Sequence, residues 1–226
     1  MTTKQLIPST TSPLRLAIPK GVLYNDSVAL LGQVGLDISE LRNPGRQLVI
    51  SSGSVEFYIL RPSDVPVFVA HGGVDSAMCG KDSLLEADLD VVELVDLKYG
   101  PCRFIVAERQ GAREQIEQRY QQSGILRVAS KYPRITTEYY DRLGVQVEMI
   151  RMRGNIELAP LVGMADRIVD ITATGTTLKQ NNLVIVDEIV TSTVRFIANP
   201  ASLRVDSRVR ELADKLAQVV DQQGAE

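Results

Sequence analysis

Histidine is nearly absent from this chain. His71 is the only one among 226 residues, so chemistry that needs a His pair or a His–Cys metal cluster has too few groups to build on. The two cysteines, Cys79 and Cys102, lie inside apolar segments and lack metal-ligand spacing. They read as buried thiols of a reducing compartment, with a disulfide or a reactive thiol as the alternative. Basic residues show no excess: the net charge is -3 and no basic run stands out, which argues against a nucleic-acid partner. No apolar stretch reaches the roughly 18 residues of a membrane helix. The opening MTTKQLIPSTTSP has no apolar centre of the kind a signal peptide carries. The expectation is a cytoplasmic protein without a membrane partner, with a flexible Ser/Thr/Pro-rich tail over residues 1–12.

What is present is material for a core. Hydrophobic residues make up 44% of the chain, enough for one large domain or two small ones. Short apolar runs alternate with amphipathic stretches. LRLAI (14–18), QLVIS (47–51), EFYILR (56–61), VDSAMCG (74–80) and LDVVELV (89–95) read as strands. NDSVALLGQVG (25–35) reads as a helix capped by Asn25 or Asp26 and stopped at Gly35. The stretch 61–72 fits a short helix or a strand. After CRFIVAE (102–108), residues 109–124 form the most hydrophilic segment, a surface helix or a long loop.

Strand and helix then alternate again. ILRVAS (125–130), VQVEMI (145–150), RIVDI (167–171), LVIVDEIV (183–190) and STVRFIAN (192–199) read as strands, while ITTEYYDRLG (135–144) reads as a helix with a Thr cap and a Gly stop. A short helix fits 156–165. Val209, Leu212, Ala213, Leu216 and Val220 form a helical stripe near the C-terminus, facing its own core or an oligomer contact. Alternating elements of this kind predict an α/β protein with mostly parallel sheet. The pause near 103–124 predicts two lobes of about 100 residues each.

One loop carries chemistry. In IVDITATGTTLKQNNL (168–183), an apolar strand ends near Asp170 and passes into Thr172, Ala173, Thr174, Gly175, Thr176 and Thr177. In α/β sheets ligands sit beyond the carboxyl ends of strands. Backbone N–H groups and hydroxyls at a Gly-containing turn suit a phosphate. A carboxylate repels a phosphate but accepts both hydroxyls of a sugar diol. Phosphate beside diol describes a ribose 5-phosphate. A threonine-rich turn with a capping Thr is the plainer reading of the loop alone.

LAIPKG (16–21), RPSDVPVFVAHGGVD (61–75), GKDSLLE (80–86), ELVDLKYGPCRFIVA (93–107) and ELAPLVGMADRIVDITATGTTLKQNNL (157–183) occur in this order. Together they resemble the short form of the ATP phosphoribosyltransferase family, from about Leu14 to Arg204. The resemblance implies a two-lobed fold like periplasmic binding proteins, with an active-site cleft between the lobes. Domain one would hold 13–102 and 192–226, and domain two 103–191 with the phosphoribosyl loop. It implies a pentosyl transfer that opens histidine biosynthesis. Adenine N1 of ATP attacks C1 of phosphoribosyl pyrophosphate (PRPP), giving N1-(5-phosphoribosyl)-ATP and pyrophosphate, with Mg²⁺ required.

It further implies residue roles. Lys20 and Arg46 would act on the pyrophosphate, Arg46 across to a neighbouring subunit. Asp170, Thr172, Ala173, Thr174, Gly175, Thr176 and Thr177 would bind PRPP. Gly21, Asp82 and Glu157 would serve ATP, with helix capping as the alternative for the two acids. The family pattern P-K-G-R is broken here by Val22, which removes one cation. Arg61 with Asp64 reads as a structural pair, and His71 as a turn residue. No regulatory domain follows the helix at 206–220, so the resemblance implies a separate regulatory subunit like histidyl-tRNA synthetase. It would assemble as a hetero-octamer of four plus four, with the catalytic chain a homodimer by itself. A non-catalytic two-lobed ligand-binding protein, or a phosphoribosyltransferase for another base, is the competing reading.

Overall fold

The computed structural model describes residues 12–223. The tail expected at 1–12 lies outside them except for Ser12. The first half of the chain runs β1 (Leu14–Pro19), α1 (Tyr24–Gln33), a 3-10 turn (Glu40–Arg42), β2 (Val49–Ser52), β3 (Val55–Leu60), α2 (Val65–Ala70), β4 (Ser76–Gly80), α3 (Lys81–Ala87) and β5 (Val92–Asp96). It continues through β6 (Cys102–Arg109), α4 (Arg113–Ser123), β7 (Leu126–Ser130), α5 (Pro133–Arg142), β8 (Val147–Arg151), α6 (Leu158–Leu161) and β9 (Arg167–Thr172). The last elements are α7 (Thr176–Gln180), β10 (Leu183–Ser192), β11 (Val194–Ala198), α8 (Pro200–Val205) and α9 (Ser207–Gln223). None of the described helices is long and apolar enough to cross a membrane.

The chain divides into two compact units. The first comprises the described residues up to Cys79, Leu89–Lys98 and those from Arg195 onward; the second comprises Gly80–Asp88 and Tyr99–Val194. The first unit is built on a six-stranded sheet in the order β2-β3-β1-β4-β11-β5. β1 lies parallel to β3 and β4, while β2 is antiparallel to β3 and β11 to β5. The run LRLAIP of β1 is almost wholly buried, as an apolar strand covered on both faces should be. The stripe Val209, Leu212, Ala213, Leu216 and Val220 is buried, and α9 packs on α1 and β5. The stripe therefore faces the core of its own unit.

The second unit is a five-stranded sheet in the order β10-β6-β9-β7-β8. β7 is parallel to β8 and β9, but β6 is antiparallel to both β9 and β10. The sheets are mixed rather than mostly parallel. β6 misled because FIVA is buried on both faces, and apolarity on both faces says nothing of strand direction. Side-chain alternation sorts two cores onto the two faces. Phe104, Val106, Val128 and Val169 pack with Ile116, Ile135 and Tyr140 on one. Ile105, Ala107, Ala129 and Ile168 pack with Ile156, Ala159 and Leu178 on the other. Asp170 shares the parity of Ile168 and so emerges on the second face, two residues before the end of β9.

α3 packs with the second unit, where Leu85 lies against the core of Phe104 and Tyr132, whereas the sequence expectation set residues 80–88 in domain one. Two caps also differ. α1 begins at Tyr24 after Leu23, so Asn25 and Asp26 sit inside its first turn, where Asp26 favours the positive helix end. α5 begins at Pro133, the fixed φ of which suits a first helical position. Thr136 is therefore interior, its hydroxyl donating to the Tyr132 carbonyl at 2.6 Å.

Candidate active site

The loop after β9 is shaped by its own hydroxyls. The Gly175 N–H donates to Thr172 Oγ1 at 2.9 Å, the Thr176 N–H donates to Thr174 Oγ1 at 3.3 Å, and the Thr174 and Thr176 hydroxyls share a 2.9 Å hydrogen bond. Such short-range bonds from Thr fix a turn that the backbone alone would leave loose. A hydroxyl that accepts still has its own proton to donate, so Thr172 keeps a donor. Ala173, Thr174, Thr176 and Thr177 are exposed. Gly175 has φ 74° and caps the five-residue α7. A Cβ there would meet nothing closer than Ile185 Cδ1 at 4.0 Å, so the glycine answers the left-handed backbone and not a lack of room.

Asp170 stands immediately before this loop, opposite Ile105 of β6. It is half-buried, and the Ile171 N–H donates to its Oδ1 at 2.8 Å. Burial pushes its carboxyl up to about 6, and the charge of Glu157 adds to this; the Ile171 N–H and Lys131 pull the other way. Oδ2 has no hydrogen-bond partner among the described residues. A carboxylate held out of water with an oxygen to spare is set to accept from a ligand hydroxyl. Glu157 is the residue before α6 and makes no side-chain cap bond, so the capping role open to it is not taken.

Asp82 lies in the first turn of α3, which its N–H anchors by donating to Ser192 Oγ at 2.9 Å. Burial raises its carboxyl, against the pull of the Ser83 N–H, its own N–H, the Ser83 hydroxyl and Lys131. A Cβ on Gly80 would collide with Asp82 Oδ1. Gly80→Ala should therefore force the carboxylate aside and cost about 1–3 kcal/mol, as overpacking does. A denaturant titration would show a lower midpoint at unchanged slope, and an unchanged midpoint would mean that Asp82 moves freely.

Two residues here escaped the sequence reading. Lys131 and Tyr132 follow β7 directly. Tyr132 is buried and packs edge-on against Phe104 at 4.9 Å; its phenol is pushed up by burial first, then by the charges of Asp82 and Asp170. The Lys131 ammonium lies 5.6 Å from the centre of the Tyr132 ring. The signal was available: S-K-Y-P closes β7 just as D-I-T-A-T closes β9, and the two strands are parallel neighbours.

The remaining candidates lie elsewhere. Lys20 and Gly21 leave the end of β1, with the Lys20 N–H donating to the Leu60 carbonyl at 2.8 Å and Gly21 at φ 89°. Arg46 is exposed ahead of β2, and Val22 is 95% exposed. These belong to the first unit; Asp82, Glu157, Asp170 and the loop belong to the second. Asp166, at the other end of the β9 segment from Asp170, is structural. Its carboxylate, 2% exposed, accepts from the Arg127 N–H and guanidinium and from Arg119. The Asp64 N–H donates to the Arg61 carbonyl at 2.9 Å, His71 follows α2, and neither Cys79 nor Cys102 is in a disulfide.

Residues 61–219 match the family model HisG, ATP phosphoribosyltransferase. The chain is 46% identical over 206 residues to an ATP phosphoribosyltransferase of Rubrobacter xylanophilus, covering 91% of this chain and 94% of that one. The fold is similar to a chain of the ATP phosphoribosyl transferase (HisG:HisZ) complex from Thermotoga maritima, with a TM-score of 0.80, 33% identity and coverage of 92% and 99%. It is also similar, in fold alone, to a histidine kinase sensor domain with similarity to periplasmic binding proteins: TM-score 0.55, 14% identity, coverage of 94% and 92%.

Proposed function

Because the chain belongs to the ATP phosphoribosyltransferase family, the pentosyl transferases of the first step of histidine biosynthesis, we propose that residues 170–177 hold the ribose 5-phosphate of PRPP for attack by ATP. The observation that carries this is the half-buried Asp170 carboxylate placed directly before a hydroxyl-lined turn. The carboxylate accepts the two ribose hydroxyls. The N–H groups and hydroxyls of Thr172, Ala173, Thr174, Gly175, Thr176 and Thr177 receive the phosphate.

The reaction displaces pyrophosphate. The C1–O bond breaks with its electron pair going to the pyrophosphate, and the lone pair of adenine N1 forms the new bond to C1. The ribose gains positive character as the bond to the leaving group stretches, so catalysis calls for positioning and for cations on the departing oxygens. Lys20 and Arg46 are the cations proposed for this, with Gly21, Asp82 and Glu157 serving ATP. Among the described residues no three His, Cys, Asp or Glu side chains gather as a metal cage. Mg²⁺ fits instead as a companion of the pyrophosphate, held by its oxygens and by water. Bound there it would neutralise charge on the leaving group.

We place the chain in the cytoplasm, as a homodimer by itself, with a regulatory subunit as its partner in a hetero-octamer of four plus four. The similarity to a chain of a HisG:HisZ complex supports the partner. The test is product formation from ATP, PRPP and Mg²⁺ with added pyrophosphatase, with and without a HisZ-type subunit. Phosphoribosyl-ATP that rises when the subunit is added is the expected result. Equal turnover with and without it would remove the partner.

A further inference from the structure

We propose that Lys131 binds the pyrophosphate of PRPP, from the same unit that supplies Asp170 and the phosphate loop. The inference rests on the reading of 170–177 as a PRPP site and adds a residue to it.

The geometry begins where β7 ends beside β9, before β9 itself ends. β7 and β9 are parallel neighbours with Ser130 opposite Val169, so Lys131 and Asp170 are the next residues on adjacent strands. Ser130, fully buried, stitches them together: its hydroxyl donates to the Val169 carbonyl at 2.7 Å and accepts from the Tyr132 N–H at 2.9 Å. The turn carrying Lys131 is thus tied to the strand carrying Asp170. Tyr132 is held in turn by the core, and its ring lies beneath the Lys131 ammonium. A ring face in that position favours the cation.

This ammonium is exposed and closes no ion pair among the described residues. Its charge nevertheless reaches both Asp170 and Asp82. A lysine fixed beside two half-buried carboxylates, yet paired with neither, has its donors open to a ligand. The ligand chemistry it suits is a polyphosphate, which PRPP and ATP share. The position favours PRPP. With the diol on Asp170, the ribose C2 sits at the carboxylate, and C1 with its pyrophosphate is one bond away. The 5-phosphate already has the loop. As the C1–O bond breaks and its electrons pass to the pyrophosphate, Lys131 lies where that charge grows.

The test uses the full chain with its HisZ-type partner and three variants: Lys131→Met, which keeps most of the stem; Lys131→Arg; and Asp170→Asn. The probes are inorganic pyrophosphate and ribose 5-phosphate, titrated calorimetrically with Mg²⁺, alongside KM values for PRPP and ATP. Lys131→Met should weaken pyrophosphate about tenfold or more, the scale of a lost charge-assisted hydrogen bond. It should leave ribose 5-phosphate unchanged and raise KM for PRPP but not for ATP, with Lys131→Arg restoring most of the loss. Because Glu157, Lys131, Tyr132 and the Ile171 N–H are the groups that face Asp170, removing Lys131 should also move the acid limb of the PRPP profile to higher pH. Unchanged pyrophosphate affinity, or a loss confined to ATP, overturns the proposal. Asp170→Asn reports on the underlying reading: if it keeps ribose 5-phosphate, the diol site is wrong whatever Lys131 does.

Discussion

Asp170→Asn should lower kcat/KM for PRPP by about two to four orders of magnitude while making the folded protein more stable. The activity loss follows from two ribose hydroxyls that lose a charged acceptor, each worth about 1.5–3 kcal/mol. The stability gain follows from the same burial that makes the acceptor useful. The native carboxyl titrates at about 6, above the ordinary 3.8, so the native state holds this proton more tightly than the unfolded chain. Stability from the proton is complete below the unfolded value and is lost as pH rises through about 6. At pH 8 the wild type carries the whole penalty, on the order of 2–3 kcal/mol at 1.36 kcal/mol per unit. The asparagine variant escapes it. Its melting temperature should exceed the wild type's by roughly 5 °C at pH 8, with the gap closing by pH 4. Calorimetric melts at the two pH values check this. A variant that is less stable at pH 8 would place Asp170 among the residues that hold the fold. The same titration makes KM for PRPP in the wild type rise as pH falls below about 6, since the protonated carboxyl is a poorer acceptor.

Asp166→Ala should do the reverse: cost stability and spare the substrate site. The Asp166 carboxylate takes the Arg127 N–H at 3.0 Å, the Arg127 Nη2 at 2.9 Å and Arg119 of α4, and its own N–H donates to the Arg127 carbonyl at 2.8 Å. It joins the starts of β7 and β9 to a helix. Burial works against its charge, but the Arg127 side chain, the Arg127 N–H and the charges of Arg127 and Arg119 outweigh that and hold it below the ordinary range. A broken buried pair costs about 3–5 kcal/mol. Here both guanidiniums reach solvent, at 42% and 28% exposure, which sets the expectation at about 3 kcal/mol. With a depressed native value, the contribution is present above the unfolded pKa and is lost as pH falls through the native one. The deficit should therefore be full at pH 7 and shrink in acid, while KM for PRPP stays near wild type. Chemical denaturation at pH 7 and at low pH, with PRPP kinetics at 20 °C, separates the two roles; a large rise in KM would put Asp166 in the site.

The two aspartates show what the sequence could tell. Both flank the same apolar run, and pattern alone ranks Asp170 higher only because it touches the loop. What separates them physically is partners: Asp166 meets arginines contributed by β7 and α4, 39 and 47 positions away, and such pairings are not written in local spacing. The loop itself was legible because its chemistry is local. Thr172, Thr174 and Gly175 shape the turn through bonds spanning two or three residues. The alternation of apolar segments was legible too, and it carried the α/β character. Direction was not, since an apolar strand such as β6 reads alike whichever way it runs. α3 and α8, of seven and six residues, are too short for helical periodicity to register. Lys131 was missed because a single lysine between a strand and a proline carries no pattern. It takes on meaning only through β9 beside it.

The most direct measurement is the structure of the protein with PRPP bound in the absence of ATP. The 5-phosphate should lie within hydrogen-bond distance of the N–H groups and hydroxyls of residues 172–177, with both ribose hydroxyls on Asp170. A phosphate bound away from that turn, or a ribose that leaves Asp170 untouched, would contradict it.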